Sequence, residues 1–213
     1  MVKKVDNFVA YGKIDEKTLK ELFAIPSLKG KKSEKEKFAG ALYTLSLETL
    51  LPNGKAIQCC TSHNLGQNFG KAFDINYLDK SEKKQYVWQD SWGFSTRTIG
   101  ILIAIHGDDK GLVVPPKLAE VKVVIIPIIF DKTKNKILKK AKEIEKSLKD
   151  YRAYLDSRED YSAGWKFNEY ELKGVPIRIE IGPRDLQKNQ IVLVRRDNLK
   201  KETVKITQLN KKI

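Results

Sequence analysis

The sequence predicts an α+β domain built on antiparallel strands, followed by a smaller α/β domain. Before residue 113, short apolar runs joined by turn residues are typical of antiparallel hairpins. Beyond residue 117, a continuous β-branched run precedes a helix with one apolar stripe, which is typical of a buried strand and its covering helix. Two prolines in Val113–Lys117 interrupt hydrophobic sequence between these patterns. We therefore expect one domain over residues 1–117 and another over 118–213.

The clearest element of the first domain is a hairpin. Leu42–Leu50 has the alternating composition of a strand, and Pro52-Asn53-Gly54 predicts a turn. Lys55–Thr61 then returns as the second strand. This pairing predicts an antiparallel sheet at the centre of the domain.

A second hairpin and two helices complete the first domain. We expect strands at Ile75–Leu78 and Gln85–Trp92, joined by the polar turn Asp79–Lys84. Leu65–Phe73 predicts a short helix, and Thr96–His106 predicts an apolar helix that is largely buried.

The second domain alternates strands with a helix. Val121–Ile129 is the β-branched run, and Asn135–Lys149 predicts the helix that covers it. Further strands are expected at Val175–Ile181 and Ile191–Val194, with Gly182–Asp185 between them. The apolar stripe of the helix consists of Ile137, Leu138, Ala141, Ile144 and Leu148.

Composition excludes several classes of protein. With 41% hydrophobic and 32% charged residues the chain is globular, and no apolar run reaches the roughly 18 to 20 residues that span a membrane. No apolar signal-peptide core follows Met1–Lys4. Cys59 and Cys60 are adjacent, so on a strand they would point to opposite faces and form neither a disulfide nor a zinc site. We expect a cytoplasmic protein whose own residues form no metal site.

The charge of the chain points to a class of partner. The formal net charge is +14, and lysines are concentrated at residues 29–37 and near the C-terminus. A surface this basic attracts polyanions, nucleic acid first among them. The alternative is a lysine-rich composition that serves no such partner.

One arginine stands where an aromatic strand meets a strongly apolar segment. Ser95 and Thr96 are good N-cap residues, which places Arg97 in the first turn of the predicted helix. The helix dipole favours anions at that end, so a cation there gains nothing from it. Two interpretations remain open. Arg97 serves a docked anion such as a nucleotide phosphate, or it pairs with a nearby carboxylate.

Several segments resemble prolyl-tRNA synthetase in its archaeal and eukaryotic-like form. They occur in the family's order and span most of the chain. They are FAGALYT at 38–44, TSHNLGQNF at 61–69, WGFSTR at 92–97, HGDDKGL at 106–112, PP at 115–116, GWKFNEYELKGVPIR at 164–178 and GPRD at 182–185. The resemblance to other class II enzymes, such as the threonyl and histidyl synthetases, is weaker because the Glu171–Arg178 block is of the prolyl type.

The resemblance implies a fold and a reaction. The first domain is then the later part of a class II synthetase catalytic domain, an antiparallel sheet flanked by helices, with motif 3 around Arg97. The second domain is an anticodon-binding domain with a mixed sheet. The family activates proline with ATP and Mg²⁺ and transfers the prolyl group to proline tRNA. The resemblance also implies a dimer in the assembled enzyme.

The same resemblance implies roles for residues of the first domain. Arg97 matches the motif 3 arginine, the catalytic residue that grips the β- and γ-phosphates of ATP. His63 matches a position that lines the proline pocket, although a lone histidine usually has a structural role. Ser95 and Thr96 match nucleotide contacts, and capping of the helix is an equal alternative for both. The full set of ATP contacts is Gln58, Thr61, Ser95, Thr96 and Arg97.

In the second domain the resemblance implies anticodon contacts by Phe167, Glu171, Arg178 and Arg184. Single-stranded bases are recognised by aromatic stacking and by side-chain hydrogen bonds to their edges. A glutamate accepts from N1 and N2 of guanine and an arginine donates to O6 and N7, and the proline anticodon supplies two guanines. Alternatives remain, because Phe167 suits a core position and Glu171 suits an ion pair with Arg178.

Parts of the family pattern are not found. Motif 1, which builds the dimer interface, and motif 2, which supplies a second arginine, are not found before Phe38, and Leu22–Pro26 resembles sequence that follows motif 2. The cysteine cluster of the family's zinc-bearing C-terminal extension is not found either. We expect a proline–tRNA ligase component that needs an N-terminal half as a separate chain, and that alone binds the anticodon arm weakly without forming adenylate. The alternative is a stand-alone tRNA-binding paralogue without catalysis.

Overall fold

Residues 15–213 are described by the computed structural model, and those of the first unit, which ends at Ile105, are arranged around an antiparallel sheet. Its elements in chain order are α1 (15–21), β1 (Leu28–Lys31), β2 (Tyr43–Leu50), β3 (Ala56–Gly66), α2 (Asn68–Ala72), β4 (Asn76–Leu78), β5 (Lys84–Tyr86), β6 (Gln89–Phe94) and α3 (Arg97–His106). The sheet has the order β1-β2-β3-β6, and β4 with β5 forms a separate ribbon. Met1–Lys4 and the other residues before 15 lie outside the described part of the chain.

The first predicted hairpin is confirmed, with a longer second strand than expected. β2 and β3 pair antiparallel, and Leu51 N donates to Lys55 O across the turn (2.9 Å). β3 continues to Gly66, so the helix predicted over Leu65–Phe73 is reduced to α2. Gly66 has a φ of +58°, and a Cβ there would lie 2.7 Å from Leu42 Cδ1. Only glycine therefore ends this strand without strain.

The second predicted hairpin is present in shorter form. β4 and β5 pair antiparallel, whereas the strand predicted over Gln85–Trp92 is two strands. The chain leaves the ribbon after Tyr86 and enters the main sheet at Gln89, where β6 pairs with β3. The segment predicted as one strand thus contributes strands to two sheets.

The apolar helix of the first unit is not largely buried, which corrects the expectation for Thr96–His106. Only Thr98, Ile101 and Leu102 of α3 are buried, whereas Ile99 is 58% exposed and Ile103 is 44% exposed. A helix turns every 3.6 residues, so one packed face leaves the opposite face to solvent. Among residues 15–213 no helix is long and apolar enough to cross a membrane.

The second unit, from His106 to Ile213, has a mixed sheet covered on both faces. Its elements are β7 (Val123–Pro127), α4 (Lys134–Ser147), β8 (Ala153–Leu155), α5 (Ala163–Leu172), β9 (Ile177–Ile181), α6 (Pro183–Gln187), β10 (Gln190–Arg195), β11 (Lys201–Lys205) and α7 (Leu209–Lys212), with single 3₁₀ turns at Asp131–Thr133, Lys149–Tyr151 and Ile206–Gln208. The strand order is β11-β10-β9-β7-β8. β7 is parallel to β8 and β9, and the other pairs are antiparallel.

The central strand β7 is buried on both faces, which explains its uninterrupted apolar sequence. Val123 and Ile125 pack in a cluster with residues of α4. Val124 and Ile126 pack on the other face with Tyr170 of α5. The β-branched run therefore positions α5, the helix on which the candidate site of this unit depends.

Residues 106–117 pack with the second unit, whereas the sequence places them before a boundary at residue 117. Leu112 N donates to Leu172 O (3.0 Å), and Val114 N donates to Gly174 O (3.3 Å). Gly174 has a φ of +71°, and a Cβ on it would lie 2.6 Å from Leu112 O. These backbone contacts join the segment to the end of α5.

Candidate functional site

A bulge in β3 determines which of its residues share one face of the first sheet. Gln58, Thr61 and His63 pair with alternate residues of β2, and Cys59 is the extra residue of the bulge. Alternate residues of a strand share a face, and a bulge adds one residue to one strand only. Gln58 and Thr61 therefore lie on the same face although they are three positions apart. The structure thus brings three of the predicted residues together.

His63 is held between two threonine hydroxyls on this face. Its Nδ1 lies 2.9 Å from Thr44 Oγ1, and its Nε2 lies 2.9 Å from Thr61 Oγ1. Phe38 packs over the imidazole, with ring centroids 4.9 Å apart. Burial, and secondly the charge of Lys32, lowers the pKa of His63. The imidazole is therefore neutral at pH 7, with one nitrogen donating and the other accepting.

The two cysteines of β3 are free thiols and both are buried. The bulge at Cys59 interrupts the alternation from which opposite faces were expected. Burial, and secondly the charge of Asp15, raises the pKa of Cys60 to about 12. Neither thiol is a nucleophile at neutral pH. Within residues 15–213, no group of three or more histidine, cysteine or acidic side chains could hold a metal ion.

Arg97 is the first residue of α3 and is exposed. Ser95 Oγ accepts a hydrogen bond from Arg97 N (3.3 Å), and Ile99 N donates to Thr96 O (3.1 Å). Ser95 therefore caps the helix, which was the alternative to a nucleotide contact for this residue. The described residues include no carboxylate paired with Arg97, so the ion-pair alternative for this residue has no support in them. Its guanidinium is open to a ligand.

In the second unit, α5 presents one face to an open groove of about 460 Å³. Gly164, Phe167, Asn168 and Glu171 line the groove, and their spacing of three, one and three residues keeps them on one helix face. Arg178 of β9 lines it from the sheet. Three of the four residues predicted to contact an anticodon are therefore close together.

Arg178 is buried and joins the groove residues to one another. Its guanidinium carbon lies 4.4 Å from the ring centroid of Phe167. Its Nη1 donates to Glu171 Oε1 (2.8 Å), and its Nε donates to Glu180 Oε1 (3.0 Å). The ion pair that was an alternative for Glu171 and Arg178 is thus present, and Phe167 also packs against the core. The result is a fixed aromatic ring beside a fixed carboxylate.

The fourth predicted residue lies elsewhere, and three groove residues with polar or charged side chains were not predicted. Arg184 is exposed in α6 and is not among the residues lining the groove. These polar residues are Lys110, Asn168 and Lys201. Lys110 and Asn168 belong to segments that carried the family resemblance, so the resemblance could have identified them as candidates. Lys201 lies in no such segment.

Comparison with known proteins gives concordant results. The family model described as anticodon binding domain matches residues 122–213. The chain is 54% identical over 191 residues to the proline–tRNA ligase of Natranaerobius thermophilus, which covers 89% of this chain and 40% of that protein. It is 52% identical over 193 residues to proline–tRNA ligase 2 of Bacillus cereus, covering 91% and 40%. The chain thus spans about 40% of the length of the curated relatives it matches.

Proposed function

The chain belongs to the prolyl-tRNA synthetase family, whose C-terminal portion it matches, and we propose that it is the part of a proline–tRNA ligase that reads the anticodon of proline tRNA. The groove of α5 carries this proposal. Its α5 and sheet residues lie within the part of the chain that matches the anticodon-binding model, and they combine a base-sized aromatic ring with a carboxylate. Phe167 stacks on a base, and Glu171 accepts hydrogen bonds from guanine N1 and N2.

The roles of the two arginines differ in this proposal. Arg178 donates hydrogen bonds to Glu171 and Glu180, so it holds the Glu171 carboxylate in place at the base edge. Arg184 is exposed and unpaired within residues 15–213, and it contacts the anticodon arm from outside the groove. Both remain anticodon-binding residues, one buried and one on the surface.

For the first unit we propose the ATP and proline contacts of a class II catalytic domain. Arg97, Ser95 and Thr96 bind the nucleotide at the start of α3, and Gln58 and Thr61 bind it from the sheet. His63, neutral between its two threonines, lines the proline pocket. Mg²⁺ commonly binds one or two carboxylates together with substrate phosphates, and Glu48, paired with Gln58 in the sheet, is suited to hold it. The ion would add charge neutralisation at the phosphates.

We further propose that activation requires a segment carrying motifs 1 and 2, supplied by a separate chain and assembled as a dimer in the cytoplasm. The alternative is a stand-alone tRNA-binding paralogue. Co-purification of a chain carrying motifs 1 and 2 favours the ligase component. Tight, selective binding of tRNA with no such partner favours the paralogue.

Binding to anticodon stem-loops tests the groove. We expect the proline stem-loop to bind more tightly than a loop with inosine in place of an anticodon guanine, by about 1 to 3 kcal/mol, because inosine lacks the N2 amino group. Glu171→Gln should remove this difference, and Phe167→Leu should weaken both loops through lost stacking. Fluorescence anisotropy of labelled loops gives the affinities.

Glu143→Gln is the matched control, because Glu143 is an exposed carboxylate on α4 that pairs with Lys140. It changes the net charge as Glu171→Gln does. Circular dichroism confirms that each variant is folded. Equal affinity of the folded wild-type chain for both loops would show that the groove does not read guanine.

A further inference from the structure

The groove of α5 receives a side chain from outside the residues that match the anticodon-binding model. Lys110 lines it, whereas the match begins at residue 122. Lys110 belongs to a tight turn in which Asp108 N donates to Gly111 O (3.1 Å) and Gly111 N donates to Asp108 O (3.0 Å). Lys110 N also donates to Asp108 Oδ1 (2.9 Å). The turn is therefore closed on itself.

A buried arginine fixes this turn against Glu171. Arg196 donates from Nη1 to Asp108 Oδ2 (2.7 Å) and from Nη2 to Asp108 Oδ1 (2.5 Å), a two-point contact. Its Nε donates to Glu171 O (2.8 Å). One rigid guanidinium thus holds both the turn that carries Lys110 and the backbone of the groove glutamate. The side chain of Arg196 is only 2% exposed, so this contact is built into the fold.

Close backbone packing holds the same turn. Gly111 has a φ of +123°, and a Cβ on it would lie 2.6 Å from Leu172 Cα at the end of α5. No other residue type fits this approach. The position of Lys110 relative to the groove is therefore set by a charge pair and by packing.

The groove has two cations that are available to a ligand. Lys110 Nζ lies 3.8 Å from Glu171 Oε2, and Lys201 Nζ lies 3.6 Å from Glu180 Oε2, both beyond hydrogen-bond distance. Their side chains are 53% and 60% exposed. Glu171 and Glu180 are only 16% and 8% exposed, but neither pair forms a hydrogen bond, so either exposed ammonium can move to a ligand anion without losing one. Arg178, in contrast, is fully engaged.

We propose that Lys110 and Lys201 bind backbone phosphates of the RNA strand whose bases enter the groove, and that Asp108 and Arg196 are positioning residues for Lys110. This inference rests on the proposed anticodon-reading function. Bases stack and pair inside such a site, which leaves the phosphates at its rim. A lysine at each rim position suits a phosphate, because its ammonium is a compact charge with rotatable donors on a flexible stem.

The salt dependence of binding tests the proposal in the full chain. Each phosphate contact adds about 0.7 to the slope of log affinity against log salt for a single strand. Lys110→Gln and Lys201→Gln should each lower the slope by about 0.7 and weaken proline and inosine-substituted stem-loops by the same factor. Lys136→Gln, on the exposed face of α4, is the matched control and should leave the slope unchanged.

Asp108→Asn tests the positioning role. It should lower the slope as Lys110→Gln does, and the double variant should lose no more than Lys110→Gln alone. If Asp108→Asn does not fold, Lys110→Gln still tests the proposal, because Lys110 is exposed and its substitution should leave the fold intact. Wild-type slopes in both lysine variants, with guanine selectivity intact, would overturn this inference only. Loss of selectivity in the lysine variants would assign them to base reading and overturn it as well. Absence of guanine selectivity in the wild-type chain would overturn the proposed function itself.

Discussion

The guanidinium of Arg97 is exposed at the start of α3, and the described residues give it no carboxylate partner. We expect Arg97→Ala, in an assembled enzyme, to raise the activation free energy of proline activation by about 2 to 4 kcal/mol, as for the loss of one transition-state donor. The free energy of unfolding should be unchanged, since the side chain has no ion pair within residues 15–213 to lose. Proline-dependent ATP–pyrophosphate exchange measures the rate, and thermal unfolding measures the stability.

Arg195→Ala is the control for this experiment. Arg195 is an exposed arginine of the second unit that pairs with Asp197, so its loss should not affect activation. Exchange kinetics of Arg97→Ala equal to those of the wild type would exclude a phosphate contact.

Single residues were predicted where a local rule or the resemblance identified them. Gln58 and Thr61 were both placed on one predicted strand as nucleotide contacts, but residues three positions apart on a regular strand point to opposite faces. The bulge at Cys59 resolves this, and nothing in the alternation of the sequence marks it. Lys110 was missed because its role depends on Arg196, a residue 86 positions further along the chain in the same unit.

At the scale of elements, a buried charge network holds the loop between β8 and α5. Asp156 and Lys166 are both buried, with Lys166 Nζ 3.3 Å from Asp156 Oδ1. Arg158 donates to Asp156 Oδ2 (2.7 Å), and Tyr170 OH donates to the same oxygen (3.2 Å). Burial raises the pKa of Asp156, but the hydrogen bonds from Arg158 and Lys166 outweigh it and hold the pKa at about 2. The network anchors the helix that carries Phe167.

Asp156→Asn should lower the free energy of unfolding by about 3 to 5 kcal/mol at pH 7, because it leaves Lys166 buried without its carboxylate. The native pKa lies below the unfolded value of 3.8, so the stabilisation is present above pH 4 and is lost as the pH falls towards 2. The difference between wild type and variant should therefore shrink over that range. Urea unfolding at several pH values measures it.

Asp160→Asn, in the same loop and exposed, is the control and should change little at any pH. A difference between wild type and Asp156→Asn that stays constant down to pH 2 would show that the charge of Asp156 does not stabilise the fold.

The elements found from sequence are those with an unambiguous apolar period. β7 and α4 were predicted because β7 is buried on both faces and α4 has one buried stripe. α5 was missed because it buries Lys166 and Tyr170 and exposes Trp165, which obscures the stripe. β11 was missed because only Val204 of its five residues is buried.

At the scale of the whole chain, the net charge of +14 predicts a polyanionic partner but not its position. The groove of α5 is close to neutral, with Arg178, Lys110 and Lys201 facing Glu171 and Glu180. In the proposed function, selectivity comes from the placement of a few groups, and the wider charge adds attraction that salt weakens.

The first unit has an open sheet edge. Within residues 15–213, β6 pairs with β3 on one side and with no strand on the other. The backbone N–H and C=O groups of an edge strand can pair with another chain. This edge therefore offers a place for the further segment proposed above.

The proposed dependence on that segment leads to a test of the purified chain. In the proposed reaction, attack of the proline carboxylate on the α-phosphate develops charge that one cation at the β- and γ-phosphates does not reach, and the resemblance implies a motif 2 arginine for that position. We expect the chain alone to show no proline-dependent ATP–pyrophosphate exchange above that of Arg97→Ala. Addition of a segment carrying motifs 1 and 2 should produce exchange with the wild-type chain and far less with Arg97→Ala. Exchange by the chain alone would mean that its own residues complete the phosphate site.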